Sequence, residues 1–358
     1  MLDLSERSQC FYWQTDRNLT AAEYELYFLK RHEVTVADIN STLKEGITSL
    51  SLIKEISVLD PDENVLKGNV NIVRKVRIDG NVYVVRLHPR GVKNGYFAVE
   101  AAALKKAAEK GLPVPDVLEI HEATTEKDMD FVLMTASSGI TMELAIQQHP
   151  ETEDDLLNQA GKLLAAVHEI EVEGFGFFNN KIAKQEQKLV GLHDSYRQFV
   201  ACGLEENIDR LVSFNTIDTE TADLFRHTFS SLSYEPIHGP RLVHNDYADW
   251  NILVNDGQIS AVLDWDECHA GDPIADLACW STFFTMDRYA QFLNGYTSVT
   301  TLPDDYEQRF HYYRLRYTIS KMALRVKRSL VDDSQFIKDK IEVGKVALQE
   351  EVAWFKSV

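Results

Sequence analysis

Apolar and polar positions take up a strand-like pattern from about residue 56. Two β-rich runs, 65–78 and 82–87, flank Asp79-Gly80, so the pattern predicts a hairpin closed by a tight turn. Residues 93–110 then carry good helix formers (FAVEAAALKKAAEK) and stop at Gly111, suited to a helix C′ position, before Pro113 and Pro115. Two further strands, 117–121 and 130–135, complete an expected small antiparallel sheet with one helix against it. Beyond Ser137-Ser138-Gly139, which reads as a linker, apolar residues recur at helical spacing over 155–170, 193–202, 219–232, 274–284 and from 303 past 327. A single β island, 244–267, is expected to interrupt this helical half. At the other end, Thr20-Ala-Ala-Glu23 reads as a capping box before the apolar-patterned 24–29. Residues 1–44 are therefore expected to form an appended helical extension, stapled on by the aromatic stretch CFYWQT at 10–15. The expected division is 1–44 extension, 45–136 small lobe and 137–358 large lobe. The fold class is α+β, and the chain shows no internal repeat or low-complexity tract.

The β island is where the chemistry concentrates. Asp256-Gly257 supplies the two positive φ angles of a type I′ turn between residues 251–254 and 258–263. With that turn, Val254 is expected to face Ile259 and Asn251 to face Val262, which leaves Asp264 two positions along the same face. Such diagonal neighbours are ~7–8 Å apart. An amide oxygen and a carboxylate can close that span by both reaching one hard cation at ~2.1 Å. Asn251 and Asp264 are therefore candidate Mg²⁺ ligands, sufficient for a metal that arrives with a nucleotide. Asp246 lies five residues before Asn251, at the end of the expected strand Leu242-Val-His244, and a loop of that length can aim its carboxylate at a substrate hydroxyl. Two other readings stay open. One is a set of solvated turn acids, which requires three spacings to coincide. The other is a hydrolase with His244 and Asp246 as metal ligands, which lacks a second His-rich motif.

Composition narrows the partners. Of 358 residues, 44% are apolar, enough for a large core, and the length points to two domains. Lys and Arg number 37 against 56 Asp and Glu, a net charge of −19, which argues against nucleic acid and favours cationic or metal-bridged partners. Cys10, Cys202, Cys268 and Cys279 form no CxxC pair, so they are expected to be reduced thiols of a cytoplasmic protein. The acidic start MLDLSERSQC is unlike a signal peptide, and the most apolar run, 277–284, is too short to span a bilayer.

The order H-x-D-x-x-x-x-N, then an Asp after the next strand, resembles the catalytic loop and metal-binding Asp of protein-kinase-like folds. More closely, His244-Asn-Asp-Tyr-Ala-Asp-Trp-Asn251, Val262-Leu-Asp264 and Gly271-Asp272-Pro273-Ile-Ala-Asp276 resemble the aminoglycoside phosphotransferase family of small-molecule kinases. The resemblance implies a two-lobed protein-kinase-like fold with a nucleotide-covering N-lobe and a helical C-lobe that binds the acceptor. It implies Asp246 as catalytic base, Asn251 and Asp264 as magnesium ligands, and Asp276, with His244, as support of the catalytic loop. Leu66-Lys-Gly68-Asn-Val-Asn71 is similar to the family's nucleotide-covering turn, which assigns Gly68 and Asn71 to the nucleotide. Val84-Val-Arg86-Leu matches the strand whose basic residue meets the phosphates, and Glu100 matches its acidic partner. Arg86 stands where protein kinases have lysine, and a guanidinium can grip phosphate in two-pronged fashion. The segment 131–139 resembles the one that joins the lobes, placing Met134 and Ala136 beside the base of ATP or GTP. The lysine or arginine often found two residues after the base is absent, because Ala248 stands there.

Residues 174–178 and 194–199 resemble the insertion of hygromycin-type phosphotransferases. That likeness implies an acceptor pocket near Asp266 and Glu267, taken as candidate contacts to a polar or cationic small molecule. Three functions remain open at this stage: an antibiotic phosphotransferase, a kinase of an amino alcohol or sugar metabolite, and a nucleotide-binding regulator without turnover. A monomer or homodimer is expected, with no nucleic acid or membrane partner.

Overall fold

Strands Ile72–Ile78 and Asn81–Leu87 form the predicted hairpin, with Ile78 opposite Asn81. Asp79 and Gly80 both take positive φ, 48° and 88°, as a type I′ turn requires. The computed structural model describes residues 1–17, 20–26, 30–47, 55–59, 71–330 and 332–358. Gly68 and most of the turn assigned to nucleotide covering lie outside the described residues. The hairpin sits in a five-stranded antiparallel sheet ordered Ile56–Val58, Ile72–Ile78, Asn81–Leu87, Phe131–Thr135, Val117–His121.

Both faces of that sheet are covered, which is why Phe131-Val-Leu-Met134 is an unbroken apolar run rather than an alternating one. Helix Val36–Gly46, opened by a capping box at Thr35 and Asp38, packs Ile39 and Leu43 with Val76, Val85, Phe131 and Leu133 on one face. On the other, Val132 and Met134 join Val99 and Ala103 of helix Phe97–Glu109 in a core that continues into the C-terminal half.

The linker folds onto the hairpin formed by Ile252–Asn255 and Gln258–Val262. Ile140–Thr141 pairs with Leu253 and Val254, and Ser260 donates its hydroxyl to the Ser138 carbonyl at 2.6 Å. A Cβ on Gly139 would stand 2.2 Å from the Val254 carbonyl oxygen, so only glycine lets the linker lie this close.

The second half is mainly helical, as expected, but carries more strand than its pattern predicts. Phe175–Phe178 and Gly191–His193 join Arg241–Val243 and His269–Gly271 in a four-stranded sheet. These strands are three or four residues long, too short to leave a period in the sequence. Helices Glu153–Val167 and Met286–Thr297 cross at Gly161 and Gly295, each of whose Cβ would meet the other helix's backbone oxygen at 2.1 Å. This close crossing brings His168 and Tyr296 together, 2.9 Å apart.

Among the described residues of 1–44, helix is present at Trp13–Asp16, Ala21–Tyr24, Lys30–Glu33 and Val36–Gly46, whereas residues 1–12 carry none. Leu2–Asp3 pairs in parallel with Val92–Lys93, and the chain then runs into the large lobe, where Thr15 donates to the Ser320 carbonyl at 2.9 Å. Phe11, Tyr12 and Trp13 are buried, with Phe11 against Phe199 and Tyr317. The predicted capping box at Thr20 and Glu23 is present, at the start of helix Ala21–Tyr24, and residues 27–29 of the predicted run 24–29 lie outside the described residues. Among the described residues no helix is long and apolar enough to cross a membrane, and all four cysteines are free.

Candidate functional site

The candidate catalytic loop leaves strand Arg241–Val243 at His244, whose ring is fully buried and neutral, since burial pushes its pKa down. Its Nε2 faces the Leu263 carbonyl at 3.0 Å, so that nitrogen carries the proton, and Nδ1 accepts the Asp246 backbone N–H at 3.3 Å. Asn245 takes a left-handed φ of 69°, which turns the chain sharply just before Asp246.

Asp276 holds this turn. Its two oxygens accept the backbone N–H groups of His244 and Asn245, each at 2.7 Å, and Oδ2 also meets His168 Nε2 at 3.1 Å. Burial alone would raise this carboxyl, and His168 and the backbone donors outweigh it, so its pKa is lowered. The surrounding Gly-Asp-Pro motif has a local reason. Asp272 caps helix Pro273–Ser281 by accepting the Ile274 N–H, Pro273 sits where no N–H is needed, and Asp276 falls in the first turn, where the helix dipole favours a negative charge. Replacing Asp276 by alanine would strand two buried N–H groups, and we expect a loss of ~1–3 kcal/mol for each in urea denaturation. A variant as stable as the parent would show that these bonds do not hold the loop.

Asn251 lies in a 3₁₀ turn, Asp249–Asn251, and its Nδ2 donates to both the carbonyl and Oδ2 of Asp246 at 2.9 Å. Its amide oxygen is thereby left to accept from elsewhere. The expected register holds at the hairpin tip, where Val254 faces Ile259, and slips further down. A bulge between Leu253 and Val254 places Ile252, not Asn251, opposite Val262. Asn251 nevertheless stays beside the start of the Asp264 segment, because its carbonyl accepts the Leu263 N–H at 2.8 Å. Asp264 turns out of the strand with φ 61°, and its side chain is 43% exposed.

Arg86, on strand Asn81–Leu87, hydrogen-bonds Glu100 and reaches Asp264 Oδ1 at 3.3 Å, so the sheet and the metal-ligand candidate are joined through one guanidinium. Burial pushes the Glu100 carboxyl up, and the facing guanidinium pulls it back. Asp246 is half-buried, and burial and then the charge of Asp264 push its carboxyl up, while Lys321 and the Asn251 hydrogen bond oppose the shift. A cation on Asp264 would remove the Asp264 part of that push and leave burial, the larger part, in place. Met134 lies in the core opposite Val84, Ala136 is half-buried just past the strand end, and Asn71 is buried at the start of strand Ile72–Ile78.

Asp266 and Glu267, assigned to the substrate from sequence, are placed elsewhere. Arg7, its side chain fully buried, donates to Asp266 Oδ1 at 2.9 Å and to the Asp266 carbonyl, and the Trp13 N–H reaches Glu267 Oε2 at 3.4 Å. The Arg7 guanidinium is stacked between Tyr96 and Trp13, 3.5 and 4.1 Å from their ring centroids. Both acids thus hold the N-terminal segment against the metal-ligand segment. Sequence reading missed Arg7 because no local pattern marks a partner 259 residues away.

The oxygens of Asn251 and Asp264 are the hard donors that magnesium takes, too few to hold it alone and open to phosphate and water. Among the described residues no group of three or more His, Cys, Asp or Glu is placed to hold a metal by itself.

The model of the phosphotransferase enzyme family (APH) matches residues 64–312. Hygromycin-B 4-O-kinase of Escherichia coli is 23% identical over 261 residues, covering 70% of this chain and 69% of that protein. Among solved structures, a thermostable mutant of aminoglycoside phosphotransferase APH(4)-Ia, in ternary complex with AMP-PNP and hygromycin B, aligns with a TM-score of 0.60 at 20% identity. It covers 87% of this chain and 98% of that one. A putative fructosamine-3-kinase from Haemophilus somnus aligns at 0.56 and 16% identity, covering 91% and 99%. These likenesses establish a two-lobed, protein-kinase-like α+β fold.

Proposed function

Since the chain belongs to the phosphotransferase enzyme family, whose model spans more than half of it, we propose that it moves the γ-phosphoryl group of ATP or GTP to a hydroxyl of a small molecule. The observation that carries this is the junction of Asp246, Asn251, Asp264 and Arg86. One carboxylate is held by an amide at 2.9 Å, and a second carboxylate is bridged to the sheet by a guanidinium at 3.3 Å. Asp246 orients the acceptor hydroxyl and takes its proton. Asn251 and Asp264 hold magnesium, which neutralises phosphate charge when bound. Arg86, paired with Glu100, meets the phosphates, and residues 45–136, with Gly68, Asn71, Met134 and Ala136, cover the nucleotide. The enzyme acts in the cytoplasm as a monomer or homodimer.

An aminoglycoside-type acceptor is suggested by the relatives that carry hygromycin in their names. The side chains around Asp246 favour the second reading, a neutral hydroxylated metabolite such as a sugar. The two acids expected to attract a polycation are tied to the N-terminal segment, and the nearby Lys321 is itself a cation. A non-catalytic regulator would need no such complete oxygen set. The test is phosphate transfer from magnesium-ATP and magnesium-GTP to a panel containing hygromycin B, neutral sugars and amino alcohols. We expect transfer to at least one neutral member, abolished when EDTA removes the metal. Nucleotide binding without transfer to any acceptor would leave the regulator.

A further inference from the structure

The 3₁₀ turn Asp249–Asn251 buries its outer residues and leaves its middle one standing out. Asn251 is buried and donates to Asp246 Oδ2 at 2.9 Å, and Asp249 is buried and accepts from Arg288 at 3.1 Å. Trp250 between them is 40% exposed, whereas Trp13, Trp265 and Trp280 are buried. A lone exposed apolar side chain is ordinary on a protein surface. Trp250 is not alone, because its ring centroid lies 5.1 Å from that of Phe283, edge to face, and 5.9 Å from that of Phe284, and both phenyl rings are half-buried.

Phe283 and Phe284 follow helix Pro273–Ser281, so one helix meets both ends of the loop that carries Asp246. At its start Asp276 accepts the His244 and Asn245 N–H groups, and just past its end the two phenyl rings back Trp250. The Cys279 thiol, four residues before Phe283, also donates to the Asn245 carbonyl at 3.2 Å. The three rings are thereby fixed to the same short segment as Asp246, one peptide bond from the residue whose amide holds that carboxylate. The charges around them narrow what they can take. The Lys321 ammonium lies 3.2 Å from the Phe283 ring centroid and the Arg288 guanidinium 4.5 Å from that of Phe284, so both phenyl rings already carry a cation. A cationic ligand would meet like charges there. Among the described residues no cation lies over the Trp250 ring.

We propose that Trp250, backed by Phe283 and Phe284, is the shelf on which the phosphoryl acceptor lies, and that this acceptor is a neutral hydroxylated ring of the pyranose kind. It rests on the phosphotransfer reading above. A pyranose carries hydroxyls on its rim and weakly positive C–H groups on its face, and the negative π face of an indole attracts those C–H groups and shields them from water. Stacking fixes the plane of the ring and leaves its rim free, so that one hydroxyl is held toward Asp246. An open-chain polyol has the same hydroxyls without the flat face, and gains little from the shelf.

The test uses the full chain and magnesium-ATP with glucose, galactose and methyl glucoside, the open-chain polyols sorbitol and galactitol, hygromycin B, and choline. The parent is expected to favour a pyranose over its polyol by roughly tenfold or more in kcat/KM. Trp250→Ala should raise the pyranose KM roughly 5- to 30-fold and erase that preference, with the nucleotide KM held within about twofold. Trp250→Phe keeps a π face and should retain most of the affinity. Trp250→Leu keeps apolar bulk without that face and should still raise the pyranose KM roughly three- to tenfold, so it carries the test if Trp250→Ala fails to fold. A parental pyranose KM in folded Trp250→Ala, or failing that in Trp250→Leu, overturns the inference and leaves the phosphotransfer reading standing. So does an equal rise in the pyranose and nucleotide KM values, which marks a displaced loop, and so does transfer confined to hygromycin B, choline or the polyols. A parent protein that transfers no phosphate to any of these acceptors overturns the phosphotransfer reading and this inference with it.

Discussion

Asp246→Asn lowers turnover roughly 10²- to 10⁴-fold while magnesium-nucleotide affinity stays within about twofold of the parent. The substitution is nearly isosteric and keeps an oxygen that can accept the Asn251 Nδ2–H now directed at Asp246 Oδ2. The backbone turn is held by Asp276 and so does not depend on the altered side chain. What disappears is the basic oxygen that takes the acceptor's proton. Nucleotide binding, which the proposed function assigns to Arg86, Asn251 and Asp264, should persist in calorimetry. Turnover is read as phosphate transfer to the acceptor that the parent uses. A variant with parental turnover would remove Asp246 from the mechanism, and loss of nucleotide binding would mean the loop had shifted.

The contrast between Asp246 and Asp266 shows what the sequence could disclose. Asp246, Asn251 and Asp264 fall within 19 residues of one another, and hairpin geometry translates such short separations into distances, with the bulge between Leu253 and Val254 accounting for the one-residue departure from the expected register. Asp276 was legible for a similar reason, because a helix cap fixes which way its first turn faces. The small sheet was legible because Asp79-Gly80 and the runs around it carry a strong turn signal, and strand Val117–His121 starts and ends where its pattern predicts. Asp266 and Glu267 are two and three residues past Asp264, yet their direction is decided by Arg7 and Trp13, which approach from the chain's other end. No periodicity encodes a contact of that kind. The short strands Phe175–Phe178 and Gly191–His193 were hidden likewise, since they exist only through pairing with each other and with His269–Gly271.

Arg7→Met should destabilise the protein by ~3–5 kcal/mol in urea denaturation near neutral pH, because it leaves a buried carboxylate without its counterion. Burial alone would raise the Asp266 carboxyl, and Arg7 first, then Arg86, outweigh burial and hold it below the usual range. A group lowered in this way contributes its stability above the unfolded value, about 3.9 for Asp, and loses it as pH falls further. In the variant burial meets less opposition, so the carboxyl takes up a proton at higher pH and the penalty shrinks. The stability gap between parent and variant should therefore narrow from about pH 7 toward about pH 4. Adding Asp266→Asn to Arg7→Met should recover part of the loss, since no charge is then stranded, and the double-mutant cycle isolates the pair. The consequence reaches the active site, since Asp266 is two residues from Asp264 and its backbone carbonyl also accepts from Arg7. The variant should accordingly need more magnesium-nucleotide for half-maximal rate. Parental stability in Arg7→Met would mean that the N-terminal segment only lies against the fold, and that the metal-ligand segment is set without it.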